Sequence, residues 1–395
     1  MEKLKYNCIF GGGAIRGMCY VGALRALKEL NVDLGALAGS SVGAVFASLL
    51  AVGYSEDELR DMFLEFNFNV FRDINIGFTP DLSLSKGEVF LNWLREKISY
   101  KVLGEKTTGS PVYFKDLKKD LYILTTDLKE NRPFVFSREK TPDIEVALAV
   151  RASAGMPGLM KPVEYKDTIL IDGDLSKSWP VWKTDGGLIN GEGRILEFRL
   201  EGSNDANIRN PIDYFITVYN TTSYLATSNI IDKYQKKDKF DYIIFDTKDL
   251  LLIDFTLPKE ERGKLIDLGY RETLKYFKET LVEKKKTFIP LYNDLIIKIK
   301  ELKISVKANN HTGSMNKIND ILANAHYEFE IIDTDFIKKL FDFKKLMEGS
   351  KISGLFGNKI SEKERILYIL EGIEEKLKTH TAELSDYIKK YENNH

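Results

Sequence analysis

Residues 39–43 read Gly39-Ser40-Ser41-Val42-Gly43, and they stand where an apolar segment, Leu34 to Ala38, passes into the helix-forming run Ala44–Val52. A glycine on each side of a central serine permits the sharp strand-to-helix turn that presents a nucleophile at the end of a sheet strand. The spacing selects Ser41 rather than Ser40 as the apex, with its side chain expected at the surface. A serine so placed also lies at a helix N-terminus, where free N–H groups and the helix dipole favour developing negative charge. Ordinary turns are also rich in glycine and serine, so the rest of the chain has to decide between a reactive turn and a plain one.

On either side of that turn the elements alternate. Tyr6–Phe10 is a short apolar run that enters a loop at Gly11-Gly12-Gly13, and Val21, Leu24, Leu27 and Leu30 then recur at helical spacing. Ser55-Glu56-Asp57-Glu58 reads as an N-cap with an acidic first turn. Leu121–Thr126 and Pro133–Ser137 are predicted strands, Asp143 to Ser153 a helix, and Thr168 to Ile171 a strand running into Asp172-Gly173-Asp174. Strands at Arg194–Leu200 and Asp241–Phe245 flank a long helical stretch, and a helix from Pro258 to Phe277 closes the unit. Strands alternating with helices imply an α/β fold: three layers, α/β/α, around a mostly parallel central sheet.

Past Glu283-Lys284-Lys285-Lys286 no strand pattern returns. The division expected is a catalytic domain at 1–283 and a helical C-terminal module at 284–395, serving regulation, oligomerisation or membrane association. In that module Ile366, Leu370, Ile373, Leu377, Leu384, Ile388 and Tyr391 follow the three- and four-residue steps of a coiled-coil seam, interrupted by the polar pair His380-Thr381. Such a seam either packs within its own domain or joins a second copy into a homo-oligomer.

Composition narrows the function classes. The 395 residues carry 58 Lys and Arg against 59 Asp and Glu, without the basic excess of a nucleic-acid binder. Two cysteines, Cys8 and Cys19, make no disulfide framework and are expected as small buried residues, so no metal or cofactor is anticipated. Met1 to Phe10 lacks the apolar core of a signal peptide, and Val42 to Tyr54 is too short to span a bilayer. These features read as a cytoplasmic protein with peripheral membrane contact. The aromatic stretch Phe66 to Thr79, with Phe68, Phe71 and Phe78, reads either as core or as an apolar lid beside the serine.

Acyl transfer needs a nucleophile, a base and oxyanion donors. The backbone amides of Gly11, Gly12, Gly13 and Val42 are candidate donors, and Arg16 would hold the glycine loop or meet an anionic headgroup. The usual histidine base is hard to find: His311, His326, His380 and His395 all fall in the helical module. Asp172, at a strand end before Gly173, is the alternative base, although Asp-Gly is also a common turn.

Taken together, Gly11-Gly12-Gly13-Ala14-Ile15-Arg16-Gly17, Gly39-Ser40-Ser41-Val42-Gly43 and Asp172-Gly173-Asp174 resemble the three motifs of the patatin-like phospholipases. Ala152-Ser153-Ala154-Gly155-Met156-Pro157-Gly158 and the stretch from Asp254 through Leu268-Gly269-Tyr270 resemble the same family, so the likeness covers roughly residues 5 to 282. The resemblance implies a Ser41–Asp172 dyad, an oxyanion hole built on the glycine loop and Val42, and hydrolysis of acyl esters of membrane phospholipids or other lipids. It also leaves room for a small-molecule activator. The first motif is either one residue longer than usual or carries Ala14 in place of a glycine, which leaves the register of the oxyanion glycines open by one place. Asp174 is a second carboxylate where the family has a small residue, and like-charge repulsion is expected to raise the pKa of Asp172.

Two other readings compete. Gly11, Gly13 and Gly17 after a first strand could be a dinucleotide loop, but that fingerprint wants an acidic residue ending strand two, where this chain has the serine turn. A catalytically dead scaffold is the other, and the intact Ser41 and Asp172 speak against it.

Overall fold

The computed structural model describes residues 4–66, 83, 85–176, 194–202, 208, 211–234, 238–247, 257–324, 334–349 and 360–392. The first half of the chain runs β1 Lys5–Phe10, α1 Met18–Glu29, β2 Asp33–Gly39, α2 Val42–Ala51, α3 Glu56–Glu65, α4 Glu88–Leu103, β3 Leu121–Asp127, β4 Arg132–Ser137 and α5 Val146–Ser153. The sheet is completed by β5 Val163–Tyr165, β6 Thr168–Asp172, β7 Arg194–Glu201, α6 Pro211–Tyr234, β8 Phe240–Asp246 and α7 Lys259–Lys275. Further helices follow: α8 Leu281–Lys307, α9 His311–Asn324, α10 Thr334–Gly349 and α11 Ile360–Glu392. Contacts group Met1–Gln235 with Phe240–Leu274 as one unit, and Lys236–Lys239 with Lys275–His395 as a second. The aromatic residues Phe68, Phe71 and Phe78 lie outside the described residues.

The first unit is built on one sheet in the order β5-β6-β3-β2-β1-β7-β8, with β4 on the other edge of β3. Strands β1, β2, β3, β7 and β8 are parallel, as alternation with helices predicts. β3–β4 and β5–β6 are antiparallel hairpins because the connections within each pair are too short to hold a crossover helix, and β6 also pairs in antiparallel with β3. Asn131 and Lys166 take positive φ values of 50° and 53° in those two connections.

Strand β3 has one edge filled by β4 and divides the other between two partners. Its residues 121–123 pair in parallel with Leu37, Ala38 and Gly39 of β2. Its residues 125–127 pair in antiparallel with Asp172, Ile171 and Leu170 of β6. β2 and β6 therefore meet end to end, each by its C-terminus, with Gly39 opposite Ile123 and Asp172 opposite Thr125. Two residues of strand separate the two ends by ~7 Å.

One face of the sheet is covered by α1 and α2 through an aromatic cluster. Tyr20 of α1 and Phe46 of α2 pack edge to face, and Tyr20 meets Phe10, Phe198 and Phe245 from three neighbouring strands. Each such buried ring stabilises the fold by about 1.5–3 kcal/mol. Cys8 and Cys19 are both free and buried, and burial pushes each thiol up to about 12, which leaves them unreactive.

The second unit is helical, and its core runs through Tyr292, Leu295, Ile299 and Leu302 of α8 and Ile366, Leu370, Ile373, Leu377 and Leu384 of α11. The three-and-four pattern of α11 thus packs within its own unit, so this face is not left for a second copy. The Glu283–Lys286 charge run sits inside α8. The polar gap in the seam has a partner: His380 Nε2 lies 2.6 Å from Asp238 Oδ2, which also accepts a 2.8 Å hydrogen bond from the Tyr292 hydroxyl. No helix among the described residues is long and apolar enough to cross a membrane.

Helices α1 and α7 touch backbone to backbone. A Cβ on Gly22 would lie 1.8 Å from the Ile266 carbonyl oxygen, and one on Gly269 would lie 1.9 Å from that of Cys19. Neither obstacle is a side chain that can swing away. Gly269→Ala should therefore lower stability by roughly 1–3 kcal/mol through forced separation of the helices. Thermal melts of the variant beside Gly263→Ala, where a Cβ meets nothing within 4 Å, would check this. Equal melting temperatures would contradict it.

Candidate active site

The turn at 39–43 is held by backbone proximity. A Cβ on Gly39 would sit 2.2 Å from the Gly43 carbonyl oxygen, and one on Gly43 would sit 2.0 Å from that of Phe10. Only glycine fits at either place. Between them Ser41 is the N-cap of α2 with φ 52° and ψ −128°, a conformation that costs a non-glycine residue about 1–3 kcal/mol. The expected surface position is not observed: Ser41 is 7% exposed. Its N–H donates to Ser153 Oγ at 3.0 Å, and the Ser153 hydroxyl in turn donates to the Leu124 carbonyl at 2.6 Å. Ser153 of α5 thus pins the strained turn to β3, a task its place in the Ala152–Gly158 segment did not disclose.

Asp172 closes β6. Its N–H donates to the Gly155 carbonyl at 3.0 Å, and its own carbonyl accepts from the Thr126 hydroxyl at 2.8 Å. Its side chain is fully buried. Oδ1 accepts the Asp174 N–H at 2.9 Å, whereas Oδ2 makes no hydrogen bond. The hydroxyls of Ser41 and Tyr219 lie within range to favour the charged carboxylate without closing hydrogen bonds to Oδ2. Burial, and then the neighbouring charge of Asp174, push the Asp172 pKa up to about 7.

Asp174 ties the three motifs together. Its Oδ1 accepts the Gly12 N–H at 3.1 Å and the hydroxyl of Ser40. A Cβ on Gly12 would fall 1.9 Å from Asp174 Oδ2. Ser40 therefore has its hydroxyl committed to Asp174, while that of Ser41 beside it is not. The same carboxylate removes Gly12 from the expected oxyanion donors. Gly11 is removed as well, because its N–H extends the ladder to the Phe198 carbonyl at 3.0 Å. The amides of Gly13 and Val42 remain uncommitted to any acceptor among the described residues. Ala14 has φ 47°, a conformation glycine adopts without strain, which matches the reading that puts Ala14 in a glycine's place.

Arg16 is buried, with its guanidinium close against Gly202, just past β7. Gly17 brings α1 and α2 together, since a Cβ there would press on Val42. Gly173 lies against the Leu124 carbonyl, which fixes the turn after Asp172 to β3. A dinucleotide loop is incompatible with this arrangement, because a phosphate cradled by the glycine amides would meet the Asp174 carboxylate already on Gly12. Among the described histidines, His311 Nε2 faces the Met347 carbonyl and His380 pairs with Asp238. No described group of three or more His, Cys, Asp or Glu side chains is disposed to hold a metal.

Tyr219 was not expected. It sits on α6, is 5% exposed, and packs beside Met156, Ala14 and Leu175. Nothing in the sequence of α6 distinguishes it from the other tyrosines of that helix.

The sequence model for the patatin-like phospholipases matches residues 8–190. Among known proteins, the chain is 27% identical to the uncharacterized protein R571 of Acanthamoeba polyphaga mimivirus, over 67% of this chain and 91% of that one. It is 26% identical to the uncharacterized protein YqhO of Bacillus subtilis, over 69% of this chain and 97% of that one. A third relative is protein 463L of invertebrate iridescent virus 6, named a probable lipid hydrolase, which is 25% identical over 45% of this chain and 63% of its own length. The three motifs, gathered at one end of the sheet, all fall within residues 8–190, the segment that matches the patatin-like phospholipase family.

Proposed function

We propose that this chain is a serine hydrolase of lipid acyl esters, of phospholipase A type, working through Ser41 and Asp172. The observation that carries the reading is the end-to-end meeting of β2 and β6 on β3, with a strained serine beyond one end and an unbonded carboxylate oxygen at the other. In this mechanism Asp172 Oδ2 takes the Ser41 Oγ proton as the oxygen attacks the acyl carbonyl. The resulting oxyanion is met by the amides of Gly13 and Val42, helped by the N-terminus of α2. Collapse expels the alcohol, which takes its proton back from Asp172. A water molecule deprotonated by the same carboxylate then releases the fatty acid.

The substrate is proposed to be met at a membrane surface. Tyr214, Val218 and Leu225 are exposed and fall on one face of α6, the helix whose buried Tyr219 lies beside Asp172. Tyr214→Ser with Leu225→Ser should cost more activity on phospholipid vesicles than on a soluble short-chain ester. Equal losses on the two substrates would reduce these residues to packing.

Ser41→Ala should abolish hydrolysis, and Asp172→Asn should lower it by about 100- to 10,000-fold, the usual range for a positioned general base. His311→Gln, His326→Gln and His395→Gln should each stay within a few-fold of the native rate. His380 needs its own folding control because it pairs with Asp238. Residual turnover by purified Ser41→Ala would end the serine mechanism.

The base works only when ionised, so kcat/KM should rise with pH through about 7, the position to which burial and Asp174 bring Asp172. Asp174→Asn keeps an acceptor for Gly12 and Ser40 but removes the repelling charge, so its midpoint should move to lower pH. The linkage runs the other way for stability. A carboxyl whose folded pKa exceeds its unfolded value of about 3.9 favours the fold most below that value, and loses the advantage as pH rises through about 7. Asp172→Asn should therefore melt above the native protein at about pH 8 and close to it at about pH 4.

A further inference from the structure

Two buried polar atoms beside the nucleophile make no hydrogen bond: Asp172 Oδ2 and the Tyr219 hydroxyl oxygen. Both residues are more than nine-tenths buried, and they come from elements far apart in sequence, β6 and α6. Such atoms are rare because leaving them unpaired is costly, and a pair of them at one site calls for an explanation. Their chemistry is complementary. A phenol carries one O–H to donate, and an ionised carboxylate oxygen can only accept.

We propose that Tyr219 is a positioning residue for Asp172: its hydroxyl donates to Oδ2 of the ionised carboxylate and holds it turned toward Ser41. This rests on the Ser41–Asp172 reading above. The bond forms when Asp172 loses its proton, by rotation of the Asp172 carboxylate and of the Tyr219 O–H about its C–O bond. The ring itself is clamped by Met156, Leu175 and Ile216, so the hydroxyl has little freedom to look elsewhere. Burial and the two carboxylates keep the phenol protonated far above the working range, which leaves it a donor at every pH of interest.

The groups facing Asp172 are few. Asp174 comes from its own turn, Tyr219 from α6, and Ser41 from the turn between β2 and α2. Arg151 on α5 donates through Nη2 to the carbonyls of Lys86 and Lys161, while its Nη1 makes no hydrogen bond. Tyr219 and Asp174 thus act in opposite directions on one carboxylate: the phenol stabilises its charged form and the acid opposes it.

The test is the pH profile of kcat/KM on a soluble short-chain ester for the native protein, Tyr219→Phe and Asp172→Asn. Tyr219→Phe keeps the ring and its packing. Its acid midpoint should rise by about one pH unit, as expected on losing one donor to a carboxylate. KM should change less than about two-fold, and the plateau kcat should stay within about ten-fold of native. A midpoint equal to that of the native protein, whatever the overall rate, would make Tyr219 a packing residue and overturn the inference. Full activity in Asp172→Asn would instead overturn the dyad. Carbon-13 titration of the Asp172 carboxyl in a Ser41→Ala background reads the same shift without turnover. The carboxyl should titrate at higher pH once Tyr219→Phe is added to that background, and an unchanged titration there would also overturn the inference.

Discussion

A strand has two edges, and β3 divides one of them between β2 and β6. Hydrogen-bond registry fixes where each partner stops, so the two strand ends face each other across a gap set by backbone geometry alone. No side chain has to be persuaded into place over a distance. The turn after Gly39 carries Ser41 into the gap from one side, and Asp172 enters it from the other. Because β6 runs against β2, the hairpins that break the parallel pattern are what make the meeting possible. A fully parallel sheet would have sent the acid to the same end as the serine but along a different strand.

Charge is the second constraint on this site. Asp172 and Asp174 are both buried, two residues apart, and among the described residues no cation pairs with Asp172. The fold offsets this by dividing their roles. Asp174 is tied to the Gly12 amide and the Ser40 hydroxyl, and so serves as a strut. Asp172 keeps one oxygen without a bond. An acid held near its proton-transfer point by burial and repulsion is poorly suited to stabilising a fold and well suited to exchanging a proton with a neighbouring alcohol.

Much of this is legible in the sequence, because the decisive features are local. Small residues on both sides of Ser41 report a backbone approach that a Cβ would block, and a strand ending in Asp172-Gly173 reports a turn. The helical and strand periods gave the α/β class and the helical nature of the C-terminal region. What could not be read depends on partners distant in sequence. The amide of Gly12 is lost to a carboxylate 162 residues away, and Ser41 is braced by a serine 112 residues on. Tyr219 reaches the site only because α6 packs over the turn that follows β6. The burial of Ser41 is hidden from the sequence for the same reason, since what covers an apex is never in the apex's own segment.

The contact of His380 and Tyr292 with Asp238 has a meaning beyond its strength. Helices α8 and α11 meet along a ladder of leucines and isoleucines, and such ladders are nearly self-similar: sliding one helix by two turns would replace each rung with another much like it. A slide of that kind would carry His380 into hydrocarbon and strand a buried carboxylate. The polar contact thus acts as a vernier mark, admitting one alignment among several of comparable oiliness. Replacing it with an apolar trio of the same volume would leave a helical core of similar strength whose alignment is no longer unique.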